Sequence, residues 1–233
     1  GFRPDVRLIT SKKAGDDGFQ ESLYEDFIKK NPKSKLTQEE VLTNEIPTII
    51  KKRPFFTTFI IKTHDPNLVF LPRGISYEII EKKNVPDKEE YLSSLKKVSD
   101  LNIPRRETLL LSEQNLITPE ITKTYSNGIA AIGTFLNDYY GDPTLAKKYF
   151  ERAVYIDNSN PVAYIKLGVA ELITRKDCKK SIENIKKGIE IYPVYEPFYF
   201  TLRRVYSRCK VSRNIIEDFD TKYQGLFRKK FED

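Results

Sequence analysis

The second half of the sequence repeats itself at an interval of 35 residues. The segment IAAIGTFLNDYYGDPTLAKKYFERAVYIDN, from Ile129, aligns with YIKLGVAELITRKDCKKSIENIKKGIEIYP, from Tyr164. A repeat of this length, with small and large apolar residues at fixed positions, is typical of stacked helix pairs that bury one continuous core. It therefore predicts an all-α array. The matched pairs include Ile132/Leu167, Gly133/Gly168, Ala146/Ser181, Phe150/Ile185, Ala153/Gly188 and Ile156/Ile191.

This pattern resembles the tetratricopeptide repeat, which has a glycine in its first helix and Ala, Phe, Ala and Pro along its second. Gly133, Ala146, Phe150 and Ala153 match that order in the first copy. A third first helix is expected after 195–197, but Arg203 stands at its glycine position, so the third copy is degenerate. The apolar stripe in 213–228 predicts a C-terminal capping helix, which arrays of this kind need.

The first half predicts a small α/β unit, so the fold class is α+β, with this unit at 1–84 and the helical array at 85–233. Extended runs at 5–10, 53–61, 68–71 and 75–80 are typical of strands. Ile75, Tyr77 and Ile79 are expected to share one face of the last strand. TQEE at 37–40 is a capping box that opens a short helix, and helices are also predicted within 86–124, starting at Pro86-Asp87 and at Thr118-Pro119.

The composition argues against several functions. One histidine, His64 in a turn, and two cysteines give no metal site, no catalytic residues and no cofactor site. The net charge of +7 arises from 40 Lys+Arg and 33 Asp+Glu, and the lysines lie in ones and twos. This pattern argues against nucleic acid as a partner, whereas a mild attraction to anionic membrane surfaces is compatible with it.

The inner face of each first helix is the predicted partner-binding groove, and its expected partner is a protein or peptide. The second copy is apolar at these positions, which leaves two interpretations. Either the groove binds an apolar peptide, or the terminal helix at 213–228 covers it; coverage is favoured because an exposed apolar patch is a liability. By register the groove contains Asn127, Ala130, Thr134, Asn137 and Asp138, then Val162, Ile165, Val169, Leu172 and Ile173, then Phe200, Arg204, Ser207 and Arg208.

The two cysteines are a candidate disulfide. Cys178 follows the first helix of the second copy, and Cys209 corresponds by the 35-residue register to Thr174, near the same turn. Stacked neighbouring units would bring both to one edge of the array, and an oxidising compartment would let the bond form. Two unpaired thiols are the equal alternative, since the direction of the turn is unknown.

Three short motifs, in order, resemble a bacterial family of protein-O-mannosyltransferase-like, multi-pass membrane glycosyltransferases. They are Arg3-Pro4-Asp5-Val6, Arg53-Pro54 and Gly74-Ile75-x-Tyr77. The resemblance implies a soluble tail that lies outside the cytoplasmic membrane and is tethered to the membrane part of the same polypeptide. In that family the catalytic carboxylate lies in a loop of the membrane part, so the tail would be non-catalytic and would position an acceptor or a partner protein.

The start of the chain, GFRPDVRLIT with no initiator Met, fits the expectation that the sequence is a piece of a longer protein. The alternative function is a stand-alone tetratricopeptide adaptor for protein–protein interaction.

Overall fold

The computed structural model describes residues 65–99 and 118–228, together with 25, 27–30, 32–33, 35, 37, 40, 46–48, 50–52 and 54–57. It divides into two compact units: one contains 1–71 and 76–87, and the other contains 72–75 and 88–233. The predicted strand at 5–10, the motif residues Arg3 to Val6, Arg53, and His64 lie outside the described residues.

The first unit contains a three-stranded sheet. Its strands are β1 (Phe55–Thr57), β2 (Leu68–Pro72) and β3 (Tyr77–Glu81), in the spatial order β1-β3-β2. Strands β1 and β3 are antiparallel, with Phe55 opposite Ile79. Phe55 and Ile79 are buried together with Ile46, against which Ile50, Leu68 and Phe70 pack. The predicted fold class, α+β with a tetratricopeptide-like helical array, is confirmed.

Two details of this unit test the sequence patterns. The capping box forms, because the Thr37 N–H donates to the Glu40 carboxylate at 2.7 Å and the Glu40 N–H donates to the Thr37 hydroxyl at 3.3 Å. The Thr37 hydroxyl also donates to the Glu40 carboxylate, at 2.9 Å. The bonds from the Thr37 N–H and hydroxyl lower the pKa of Glu40. The expectation that Ile75, Tyr77 and Ile79 share one face of the strand is wrong for Ile75. This residue is 43% exposed and lies in the bend before β3, where Gly74 has a φ of +81°.

The second unit contains seven helices among the described residues. They are α1 (Lys88–Ser99), α2 (Thr118–Asp138), α3 (Pro143–Ile156), α4 (Pro161–Arg175), α5 (Cys178–Ile191), α6 (Glu196–Arg208) and α7 (Arg213–Phe227). Helices α3, α5 and α7 begin 35 residues apart, and so do α4 and α6. The terminal helix predicted as a cap therefore stands in register as the second helix of a third pair.

Side-chain caps set the helix starts. The Asp142 carboxylate accepts from the Leu145 N–H at 2.9 Å to start α3, and Asp177, 35 residues later, accepts from the Lys180 N–H at 3.0 Å to start α5. Such caps satisfy backbone donors that the helix itself leaves unpaired. The Leu145 N–H and the Lys88 ammonium, 3.1 Å away, lower the pKa of Asp142.

The same close contact holds the first two helix pairs together. A Cβ added at Gly133 would lie 2.7 Å from Cε1 of Phe150, and one added at Gly168 would lie 2.6 Å from Cγ1 of Ile185. Those distances are shorter than side chains tolerate, so only glycine lets α2 approach α3, and α4 approach α5, this closely. The repeated contact gives a physical reason for the 35-residue pattern.

The third pair replaces this contact with polar and bulky groups. Arg203 and Asp220 stand at the matching positions, and Arg203 Nε lies 3.1 Å from Asp220 Oδ1. Tyr223 stands where the second pair has Gly188; its ring is fully buried, and its hydroxyl donates to the Glu196 carboxylate. Helices α6 and α7 consequently approach each other less closely than the other two pairs.

A buried ion pair connects consecutive pairs. Lys147 of α3 lies 2.9 Å from Oε1 of Glu171 in α4, and both side chains are only 7% exposed. A buried charge is tolerated only when it is paired, so removing either partner would leave an uncompensated charge between α3 and α4.

The array begins on an aromatic cluster. Tyr91 of α1 is fully buried, its ring lies 5.3 Å from that of Phe135 and 5.7 Å from that of Tyr140, and its hydroxyl donates to the Pro72 carbonyl at 2.8 Å. Thus α1 packs at the end of α2, and the segment 72–75 is part of the helical unit.

We expect Gly168→Ala to destabilise the protein, because the added methyl meets both Ile185 and the Ser181 carbonyl oxygen, 2.8 Å away. The free energy of unfolding should fall by about 1–3 kcal/mol in urea titrations. Gly225→Ala in α7 is the matched control, because its added Cβ would meet no described atom within 4 Å beyond the neighbouring backbone of its own helix. The control should be neutral or stabilising by up to about 1 kcal/mol. Equal effects of the two substitutions would contradict close packing at Gly168.

Candidate protein-binding groove

The predicted groove residues lie on the first helices α2, α4 and α6. Asp138, Arg204, Ser207 and Arg208 are exposed, as are Asn127, Val162 and Ile173. Thr134 and Asn137 are half-buried: the Thr134 hydroxyl donates to the Ala130 carbonyl at 3.0 Å, and the Asn137 amide donates to Asp138 Oδ1 at 2.6 Å. The role of this face in binding stays a prediction.

The apolar middle of the groove is largely covered from within the array. Ile165 is buried in a cluster with four residues of α6, namely Phe198, Leu202, Val205 and Tyr206, and Val169 and Leu172 pack against that cluster. Ile216 and Phe219 of α7 pack against the same cluster. Coverage therefore comes from α6 as well as from the terminal helix, and only the two ends of the apolar strip, Val162 and Ile173, stay 43% and 46% exposed.

One end of the groove opens into a cavity of about 600 Å³. Two predicted groove residues, Asn127 and Val162, lie in its wall. The remaining lining comes from the starts of α2, α4 and α6, from the end of α5 and from the turns before α4 and α6. The lining residues are Glu120, Lys123, Asn127, Ser159, Asn160, Pro161, Val162, Ile191, Tyr192, Tyr195 and Phe198.

A hydrogen-bond network fixes one wall of the cavity. Asn160 starts α4 by accepting from the Ala163 N–H at 3.1 Å, and its amide donates to Ser126 Oγ at 2.8 Å and to Asn127 Oδ1 at 2.9 Å. The bond from Asn160 orients the Asn127 amide. No residue that the structure describes accepts from the Asn127 amide nitrogen, so this group is available to donate to a ligand.

Three aromatic residues also line the cavity. The rings of Tyr192 and Tyr195 stack with their centroids 6.0 Å apart, and the Tyr195 ring meets Phe198 edge-on at 4.7 Å. Tyr192 and Tyr195 are 48% and 45% exposed, which is unusual for two adjacent large rings. The sequence analysis missed them because they lie in the turn before α6, outside the helical positions that the repeat predicts.

Charge at the cavity is balanced. Lys123 and Glu120, both exposed, come from the first turns of α2, and Lys123 forms no ion pair with any residue that the structure describes. The cavity thus offers one free cation, one carboxylate, an amide donor and an apolar floor.

The described parts of the chain contain no group of three or more His, Cys, Asp or Glu side chains that could hold a metal ion. Within those same residues, no helix is both long enough and apolar enough to cross a lipid bilayer.

A disulfide lies at the edge of the array. Cys178 begins α5 and Cys209 ends α6; their sulfur atoms are 2.09 Å apart and their Cα atoms 5.7 Å apart. This is the placement that the repeat register predicts, and the bond links the second helix pair to the third.

No family model and no curated protein sequence matches this chain. Among solved structures it is similar to a chain titled crystal structure of MamA protein, with 18% identity and a TM-score of 0.40 over 60% of this chain and 81% of that one. A similarity at this level carries no argument about function, so the groove is interpreted from its own geometry.

We expect thiol titration of the unfolded, unreduced protein to detect no free thiol. The loop between the cysteines spans 31 positions, so the bond should stabilise the chain by roughly 3–4 kcal/mol in the chain-entropy estimate. Reduction should lower the urea midpoint, whereas a Cys178→Ser, Cys209→Ser variant should not respond to reductant. Two free thiols in protein made in its native compartment would contradict this pairing.

Proposed function

We propose that this chain is a binding module that holds an extended segment of a partner protein along α2, α4 and α6. The cavity beside Asn127, Val162 and the Tyr192–Tyr195 pair carries the proposal. Its apolar floor suits an aliphatic or aromatic side chain of the partner, and the Asn127 amide suits a backbone carbonyl, since precisely placed polar groups fix a ligand's orientation.

An extended peptide fits the length of the exposed positions better than a compact ligand does. Val162 lies at the start of α4 and Ile173 near its end, eleven residues apart, which is about 17 Å along a helix. About five extended residues cover that span. The disulfide between Cys178 and Cys209 brings the end of α6 close to the turn after α4. Arg204 and Arg208, both exposed in the last turns of α6, therefore favour an acidic residue at that end of the partner segment.

A random-peptide display selection against the wild-type protein tests this function. We expect enriched peptides that place an apolar side chain at a fixed position, and we expect their affinity to fall at least about tenfold for Val162→Trp, which fills the cavity mouth, and for Asn127→Ala. Circular dichroism and thermal melting establish that each variant is folded.

The control substitution is Leu226→Trp, because Leu226 is 60% exposed on α7 and does not line the cavity. It should leave peptide affinity unchanged. The proposal fails if no peptide is enriched, or if the enriched peptides bind the wild type and Val162→Trp equally well.

We further propose that this module is the soluble, extracytoplasmic tail of a membrane glycosyltransferase that uses a lipid-linked sugar donor, where it would position an acceptor or a partner protein. The support is the ordered set of motifs at 3–6, 53–54 and 74–77. Gly74 has a positive φ where the chain turns between β2 and β3, and this conformation favours a glycine at that motif position. The candidate disulfide is compatible with an oxidising location.

The gene sequence upstream of Gly1 separates this setting from a stand-alone adaptor. About ten apolar spans of membrane length would support the transferase setting, and a short polar leader would end it.

Residues 1–233 alone are expected to transfer no sugar from a polyprenyl-phosphate donor, and measurable turnover would overturn the non-catalytic role. Either result leaves the peptide-binding test unaffected.

A further inference from the structure

A dense group of cations lies around the disulfide. Six exposed side chains flank the two cysteines, in the turns after α4 and α6 or in the helix ends beside those turns. We call them the basic edge: Arg175, Lys176, Lys179, Lys180, Arg208 and Lys210.

The disulfide brings the two halves of this edge together. The Cα atoms of Cys178 and Cys209 are 5.7 Å apart, and every member of the basic edge lies within three residues of one cysteine. Counting about 3.8 Å for each residue, the Cα atoms of Lys179 and Lys210 are at most about 13 Å apart. The Debye length in physiological salt is about 8 Å, so the attraction of this edge for an anionic surface should weaken as salt is added.

These cations are not neutralised within the described structure. None of the six has an ion-pair partner among the residues that the structure describes. The nearby acids have other roles: Asp177 accepts the Lys180 backbone N–H as the cap of α5, and Glu217 lies 2.7 Å from Arg213. Glu183, one turn into α5, is exposed and is the next carboxylate after Asp177 along the sequence.

The charge is not a general property of the repeat. The equivalent turn of the first pair, 138–145, reads DYYGDPTL and contains two aspartates and no lysine or arginine. The second and third turns, TRKDCKK at 174–180 and SRCKVSR at 207–213, contain seven lysines and arginines against one aspartate. The two turns that the disulfide joins are therefore the two that carry the cations.

We infer that the basic edge docks on an anionic phospholipid surface. Residues 173–183 and 207–215 contain no aromatic side chain, so the edge lacks the stacking platforms that single-stranded nucleic acid needs. Ile173 and Ile215, which are 46% and 48% exposed, flank it and supply aliphatic groups for the interface between water and lipid. Lysine stems can lie along such an interface while their ammonium groups contact phosphates.

Co-sedimentation with vesicles tests this inference with the intact, oxidised chain. Vesicles of phosphatidylcholine containing about 30% phosphatidylglycerol should bind the protein, and pure phosphatidylcholine vesicles should not. Each cation near an anionic surface strengthens partitioning about fivefold. The variant Lys176→Gln, Lys179→Gln, Lys180→Gln, Lys210→Gln should therefore lose binding by nearly three orders of magnitude, about 600-fold. Added salt should weaken wild-type binding.

A matched variant separates the edge from net charge alone. The variant Lys33→Gln, Lys35→Gln, Lys148→Gln, Lys222→Gln removes the same charge from exposed positions that are not members of the basic edge. It should reduce binding by less than about fivefold. Equal losses in both variants would overturn a specific edge. Absence of binding to the anionic vesicles would overturn the inference, as would tighter binding to duplex DNA or to polyglutamate than to vesicles. None of these outcomes depends on whether the groove binds peptides.

Discussion

The contact of a glycine with a large apolar side chain, made once in each of the first two helix pairs, sets the geometry of the whole array. Gly133 lies against Phe150 and Gly168 against Ile185, with no room for a Cβ at either glycine. Two helices that approach this closely exclude water from a narrow seam, and their spacing then determines where the turns and the next pair can lie. The ion pair of Lys147 and Glu171 is buried between the first and second helix pairs. The cavity lies at the turns before α4 and α6.

The third helix pair keeps the 35-residue register of the array but not the glycine contact of the first two pairs. Arg203 and Asp220 bond where a glycine and an apolar residue stand in the earlier pairs, and Tyr223 fills the space left by the wider separation. Because α7 stands off from α6, part of its apolar stripe stays exposed, including Ile215 and Leu226. The disulfide joins the second helix pair to the third at one edge of the array. The cations of the basic edge lie around this bond.

The sequence predicted features that recur and missed those that occur once. The helix pairs, the capping box at 37–40, the helix starts at 88 and 118 and the placement of the two cysteines follow from repeated or local patterns. The Tyr192–Tyr195 wall, the amide network at Asn160 and the coverage of Ile165 by α6 depend on how different turns meet in space, which spacing does not encode. The sequence pattern placed Ile75 in the strand. The chain turns at Gly74 and β3 begins only at Tyr77, so the alternation of the strand does not extend to Ile75.

The account depends most on the claim that Gly168 and Ile185 touch and that this contact sets the spacing of their helices. A double-mutant cycle with Gly168→Ala and Ile185→Ala measures it directly by urea unfolding. Truncating Ile185 alone should cost about 2–5 kcal/mol, and it should also make room for the added methyl. We therefore predict that the double variant is more stable than the sum of the single effects by at least about 1 kcal/mol. Additivity within about 0.5 kcal/mol would contradict the contact, and with it the physical basis of the 35-residue repeat.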